Sequence, residues 1–248
     1  MPPEVGAPNH EGRLDPPGTA ACARAGVAVL RASRWALRFG LLVLVLLSVW
    51  IAVDSLIRPI STLMMARILT GQPVDRRWVP LSAVSPALKA AVILSEDGQF
   101  CRNDGVDWGA LRNVVRHGHG VPSRGASTLT MQVAKNLFLW PSRSYIRKAI
   151  EIPLALVLDL VWSKKRILEY YFNIAEWGNG VFGAEAAAQR DFHIAAKDLD
   201  ARQAVLLATA LPNPFLRHPD RPTRLHRLLA NRLLGLMPDG ADHTRCLE

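Results

Sequence analysis

Three clusters of polar residues have the types and spacing that acid–base and anion chemistry would use. The first is Ser95-Glu96-Asp97-Gly98-Gln99-Phe100, with Gly105-Val106-Asp107 close behind. Two adjacent carboxylates after an apolar stretch could supply a general base, and they fit a solvated helix end or a salt-bridged pair equally well. Acidic side chains at a helix C-terminus face the negative end of its dipole, so other contacts must hold them there. The second cluster is Gly125-Ala126-Ser127-Thr128-Leu129-Thr130-Met131-Gln132-Val133-Ala134-Lys135-Asn136. Its plain reading is an N-capped helix with ordinary polar positions. The third is Arg147-Lys148-Ala149-Ile150-Glu151, in which Arg147 and Glu151 stand at i,i+4, the spacing of a helix-surface ion pair.

Other catalytic patterns are missing. No S-x-x-K, K-T-G, G-x-S-x-G or H-E-x-x-H occurs, which removes penicillin-type acyl transfer, the nucleophile-elbow hydrolases and the zincins. Gly178-Asn179-Gly180-Val181-Phe182-Gly183 matches G-x-G-x-x-G, but the residues before it have helical periodicity where a dinucleotide site needs a strand. The better reading is a glycine-rich turn between helices. His117 and His119 have no third metal ligand nearby in the sequence.

The elements that must carry these clusters read as helices. Ala87–Leu94 runs into Glu96, Ser127 or Thr128 caps a helix over 129–139, and Ser144 caps a long one. In that long helix Ile146, Ile150, Leu154, Val157 and Val161 form a stripe. Pro153 lies inside it, removes the bond to the Ala149 carbonyl and predicts a kink. Ser163 caps 164–173, and further helices are expected over 183–192, 198–211 and 220–236. Leu56–Leu69 also reads as helical until Gly71-Gln72-Pro73, and residues 117–127 read as a mobile loop. Strand signals are scarce, and there is no internal repeat.

The 248 residues have room for one domain and appendages. Cys22, Cys101 and Cys246 are too few and too scattered to suggest a disulfide framework or a cysteine zinc site. A net charge of +9 asks for an anionic partner: nucleic acid, a membrane surface or a phosphorylated substrate. Residues 39–53 carry no charge, and a helix over 35–53 would span roughly 28 Å, the depth of a bilayer core. A signal-peptide core is the alternative, but no small-x-small cleavage site follows. Arg13, Arg24, Arg31, Arg34 and Arg38 precede the segment and keep that side cytoplasmic. An exported domain seldom meets nucleic acid, which is set aside.

In order and spacing the three clusters resemble the peptidoglycan glycosyltransferase domain of class A penicillin-binding proteins and monofunctional biosynthetic transglycosylases. The motifs are E-D-x-x-F…G-x-D (Glu96 to Asp107), G-x-S-T-x-T-x-Q-x-x-K-N (Gly125 to Asn136) and R-K-x-x-E (Arg147 to Glu151). S-K-x-x-I-L-E-x-Y-x-N-x-x-x-x-G (Ser163 to Gly178) and Leu211-Pro212-Asn213-Pro214 follow, so the resemblance covers about residues 80–235. Asn103 stands where the first motif commonly has His, Asp191 replaces an expected aromatic, and Pro153 is unusual beside Glu151.

The resemblance implies a mainly α fold: a single-pass transmembrane helix followed by a lysozyme-like α-helical glycosyltransferase domain. The expected divisions are 1–34 cytoplasmic disordered tail, 35–53 anchor, 54–79 membrane-proximal helix and linker, 80–237 glycosyltransferase domain and 238–248 C-terminal tail. It implies an inverting polymerisation of lipid II into β-1,4 glycan with release of undecaprenyl pyrophosphate, carried by Glu96 and Glu151. Asp97, Phe100, Ser127, Thr128, Gln132, Lys135, Asn136, Arg147 and Lys148 would bind substrate. No metal site or obligatory cofactor is expected, although Mg or Mn could assist at the pyrophosphate. The partners implied are lipid II, the growing strand, the membrane and proteins of wall synthesis or division, with the domain periplasmic at the inner membrane. The rival readings are a lytic transglycosylase or muramidase and an inactive membrane scaffold.

Overall fold

Short polar side chains placed just before apolar runs start most of the helices. The computed structural model describes residues 31, 33–35, 37–43, 45–46, 49, 58–117, 127–141, 144–238 and 243–248. Ser61, Ser85, Thr128, Ser144, Ser163, Asp200 and Thr223 each accept a bond from a backbone N–H in the first turn of the helix that follows. Each such cap contributes about 1 kcal/mol. The helices are α1 (Thr62–Leu69), α2 (Pro86–Glu96), α3 (Trp108–His117), α4 (Leu129–Phe138), α5 (Tyr145–Val161), α6 (Lys164–Ile174), α7 (Ala184–Phe192), α8 (Ala201–Ala210) and α9 (Arg224–Leu236). The mainly helical expectation is met.

The chain divides into two units, Met1–Val49 and Trp50–Glu248, and every element named here lies in the second. In the first, the described residues between 31 and 49 are helical. Among the described residues no helix is long and apolar enough to cross a membrane. Much of the expected 35–53 anchor falls outside the described residues, as do residues 1–30 of the expected tail and 118–126 of the expected loop.

In the second unit α4 packs on α5 and α6, while α2 packs on α8 and α9. Trp177, Tyr170, Tyr171, Phe100, Phe172 and Phe182 are the largest fully buried side chains among the described residues. The second half of α6 is buried on every side, from Tyr170 to Ile174. Its Asn173 is wholly enclosed and braces the connecting backbone on both sides, accepting from Val79 N–H and donating to the Val79 and Glu169 carbonyls.

Several boundaries differ from the sequence expectation. The first helix starts at Thr62, because Ser61 caps it just beyond Pro59; residues 56 and 57 lie outside the described residues. α8 and α9 start later than 198 and 220: a 3-10 turn occupies Ala196–Asp198, and Pro222-Thr223 precedes α9. α5 continues through Pro153. The glycine-rich segment is not a turn between helices. It forms a hairpin of β2 (Glu176–Gly178) and β3 (Val181–Phe182), with β1 (Asp75–Arg76) running parallel to β3 in the order β1-β3-β2. Gly180 turns the hairpin at φ +75, where a Cβ would sit 2.6 Å from the Pro73 carbonyl oxygen. The unexplained Asp191 finds a partner here. It is buried against the Arg190 guanidinium at 2.6 Å, and Arg190 also donates to the Trp177 carbonyl.

The cysteine expectation is corrected as well. Cys101 and Cys246 form a disulfide with Cα atoms 5.4 Å apart, although 145 residues separate them in sequence. Residues 243–248, expected as part of a tail, pack back on α6 through a 3-10 turn at Arg245–Leu247.

Candidate active site

Glu96 is the last residue of α2, and its carboxylate is oriented from below. Its Oε2 accepts from Gln132 Nε2 at 3.0 Å, and the Gln132 carbonyl oxygen accepts from the Tyr171 hydroxyl at 3.4 Å. Burial pushes the Tyr171 phenol well up, which keeps it a donor. The other carboxylate oxygen, Oε1, is enclosed and has no hydrogen-bond partner among the described residues. Burial raises the Glu96 pKa. The Gln132 bond and the charges of Lys135 and Arg217 oppose that rise, while Asp97 adds to it.

Asp97 faces the other way. Its buried carboxylate accepts from Asn103 Nδ2 at 3.0 and 3.2 Å and from the Leu129 N–H, the first residue of α4, at 3.0 Å. A negative charge there caps the positive end of the α4 dipole and ties it to the end of α2. Burial raises the Asp97 pKa, and these same bonds draw it back. Asn103 therefore supplies donors to this loop in place of the expected His. Lys164 secures it, donating to the Asn103 carbonyl and to Asp159, both at 2.6 Å. Thr128 donates to the Gly105 carbonyl at 2.6 Å. Gly105 at φ +87 passes so near α5 that a Cβ would lie 2.6 Å from the Ala155 oxygen. A cleft of about 210 Å³ opens over this arrangement, lined by Glu96, Asp97, Gly98, Asp107, Ser127 and Thr128 among others.

Glu151 on α5 is only 2% exposed, and each of its oxygens meets a cation: Arg147 on one side and Lys148, at 2.8 Å, on the other. Lys148 also donates to the Ser127 hydroxyl at 2.7 Å, joining α5 to the start of α4. Lys135, one turn before the end of α4, has no ion-pair or hydrogen-bond partner of its own among the described residues. Burial lowers its pKa, Glu151 and Glu96 raise it, and Arg147 and Lys148 lower it. One ammonium group thus feels both carboxylates and both other cations.

Glu96, Ser127, Gln132, Lys135, Arg147, Lys148 and Glu151 are brought together. Phe100 is not presented to the cleft: it is wholly buried, with the Lys164 ammonium 5.0 Å from its ring centroid. Asp97 and Thr128 line the cleft and also brace it, Asp97 accepting from the Asn103 side chain and the Leu129 N–H and Thr128 donating to the Gly105 carbonyl. Asn136 is held through its carbonyl, which accepts from the Thr62 hydroxyl at 3.2 Å. Sequence reasoning gave no site role to Tyr171, which it held only as the Tyr of the fourth motif, or to Arg217. Tyr171 looks like core on its helix, and Arg217, which donates to the Thr209 carbonyl, lies in no motif. Among the described residues no group of three His, Cys, Asp or Glu side chains could hold a metal ion.

A family model described as Transglycosylase matches residues 62–237. The chain is 56% identical over 174 residues to a protein of Agrobacterium fabrum named biosynthetic peptidoglycan transglycosylase, covering 69% of this chain and 77% of that one. Two others with the same name are similar: one of Brucella suis (51% over 193 residues, 77% and 86% covered) and one of Mesorhizobium japonicum (48% over 224 residues, 87% and 94% covered).

Proposed function

The chain belongs to the transglycosylase family, and from that premise we propose how its own side chains join peptidoglycan glycan. It is a peptidoglycan glycosyltransferase that polymerises glycan chains. The reading of its site rests on one observation: Lys135 lies within electrostatic reach of Glu96 on one side and of the Arg147–Lys148–Glu151 cluster on the other.

The acceptor's GlcNAc 4-hydroxyl attacks the anomeric carbon of the lipid-linked MurNAc and inverts it to a β-1,4 bond. A sugar hydroxyl is a poor nucleophile, so its proton must leave as the bond forms. Glu96 takes it: its carboxylate lines the cleft, and Gln132 holds Oε2 in place. A carboxylate whose proton affinity is raised by burial is a better base near neutral pH than an exposed one. The departing pyrophosphate needs positive charge more than a proton, and Lys135, Arg147 and Lys148 supply it. Glu151 acts through those cations, fixing two of them while its own oxygens are occupied. That occupancy makes Glu151 a poor ligand for a divalent ion. Ser127 completes the polar lining. Asp97, Phe100 and Thr128 set the loop and helix on which the lining stands.

Lipid II reaches such a groove at a membrane surface. The uncharged 39–53 segment and the arginines before it support a single-pass anchor with a cytoplasmic N-terminus and a domain on the far side of the inner membrane. The Cys101–Cys246 disulfide suits the oxidising compartment there. Exposed Ile60 just before α1 and Met65, Ile68 and Leu69 along it suit a headgroup boundary.

The test supplies purified full-length protein with lipid II or, separately, with finished glycan. Polymer from the first is expected; fragments from the second with no polymer from the first would replace the synthase by a lytic enzyme. Lytic chemistry needs an acid against a sugar leaving group and has little use for three clustered cations.

A further inference from the structure

The loop that leaves Glu96 is gripped from two sides, and only one of them belongs to the helices around the site. On the inner side Leu129 N–H and Asn103 hold Asp97, and Lys164 holds the Asn103 carbonyl. On the outer side the grip comes from the end of the chain. His243 Nδ1–H donates to the Gly98 carbonyl at 2.6 Å, Cys246 is bonded to Cys101, and Lys165 of α6 donates to the Glu248 carbonyl. Gly98 and Gln99 themselves line the cleft beside Glu96 and Asp97. Residues 97–103 are turns and bends, with a few short-range backbone bonds of their own to keep them in place.

We propose that residues 243–248 are a positioning clasp for the reaction site, locked by the Cys101–Cys246 disulfide, which hold Gly98–Asn103 so that Glu96 keeps its place in the groove. This rests on Glu96 being the base. Misplacing a reacting group by about 1 Å can cost around 10²-fold in rate. A loop freed at Gly98 and Cys101 is left with its buried Phe100 and the bonds of Asp97 and Asn103 as its holds, and with the outer grip gone a shift of that size becomes accessible. The disulfide is half-buried, so a small dithiol can reach it.

The experiment uses the full chain in detergent and compares oxidised, reduced and re-oxidised protein on lipid II. Dithiothreitol delivers two electrons and two protons, the S–S bond opens to two thiols, and the reagent closes to its cyclic disulfide. Removal of the reagent and addition of oxidised glutathione reverse the exchange. Reduction is expected to lower kcat about 10- to 100-fold, to leave KM little changed and to be undone by re-oxidation. It should also move the acid limb of kcat to lower pH, since an opened loop lets water reach Glu96 and relieves the burial that raises its pKa. His243→Ala should give part of the loss with the disulfide intact, and His243→Asn should recover it, because an Asn amide nitrogen sits where the imidazole Nδ1 does.

A lower Tm with unchanged kcat and unchanged pH limb would overturn the proposal and leave the disulfide as a staple alone. If the oxidised protein makes no polymer, the proposed synthesis fails instead, and if Glu96→Gln keeps its turnover, the reading of Glu96 does. The clasp is then decided by amide hydrogen exchange at Gly98–Asn103: faster exchange on reduction supports it, and unchanged protection overturns it.

Discussion

Glu96 and Asp97 are neighbours in sequence with opposite duties, and their surroundings decide which does what. Glu96 lines the cleft with one hydrogen bond, from Gln132, and burial raises its proton affinity, whereas Asp97 has its carboxylate taken up by Asn103 and the Leu129 N–H. Glu96→Gln should abolish polymerisation while leaving the thermal transition nearly unchanged; retained turnover in a lipid II assay would remove Glu96 as the base. Lys135→Ala should lower kcat by roughly 10²–10³-fold, as loss of one charge-stabilising donor does, whereas Lys197→Ala, far from any motif, should not. The acid behaviour follows from the sign of the shifts. Both carboxylates have raised pKa values in the fold, so their ionised forms cost stability and protonation relieves that cost. As the pH falls through the raised Glu96 value, activity should disappear while these two groups add stability. Activity and circular dichroism measured on one pH series should therefore part company in mild acid, with activity recovering on return to neutral.

At the scale of elements the groove is a matter of how α2, α4 and α5 are joined at their ends. Asp97 binds the start of α4 to the end of α2, and Lys148 binds the start of α4 to α5 through Ser127. Asp97→Ala removes a charged acceptor from a buried backbone N–H and should destabilise the fold by about 1.5–3 kcal/mol. A smaller loss in urea unfolding would mean that α4 is seated by packing alone. The helices were legible because caps and apolar periodicity are local: Ser144, Ser163 and Thr128 stand where the structure uses them. The sheet was not, since strands of two or three residues leave no alternating pattern and β1 finds β3 across 106 positions. Pro59 and Pro222 marked later helix starts than the apolar pattern suggested.

At the scale of the whole molecule, parts distant in sequence are held by a few buried polar groups. Asn173 satisfies the Val79 N–H and carbonyl, so Asn173→Ala would leave both unpaired and should cost about 2–4 kcal/mol, read as a Tm drop of roughly 5–15 °C. The site was legible only in part for the same reason. Motif order pointed to Glu96, Lys135 and Glu151, but spacing along a chain carries no record of Tyr171 rising beneath Gln132, of Arg217 approaching Glu96, or of Cys246 returning to Cys101. Phe100, an aromatic inside a catalytic motif, gave no sign that it would be sunk in the core. α1 is fastened at both ends: Thr62 donates to the carbonyls of Asn136 and Leu139, and Arg67 meets Glu176 and Asn179 on the hairpin. A displacement of the first turn of α1 is thus passed to the end of α4, where Asn136 follows Lys135 in the chain. Whatever shifts α1 therefore also shifts the helix end that carries that ammonium group.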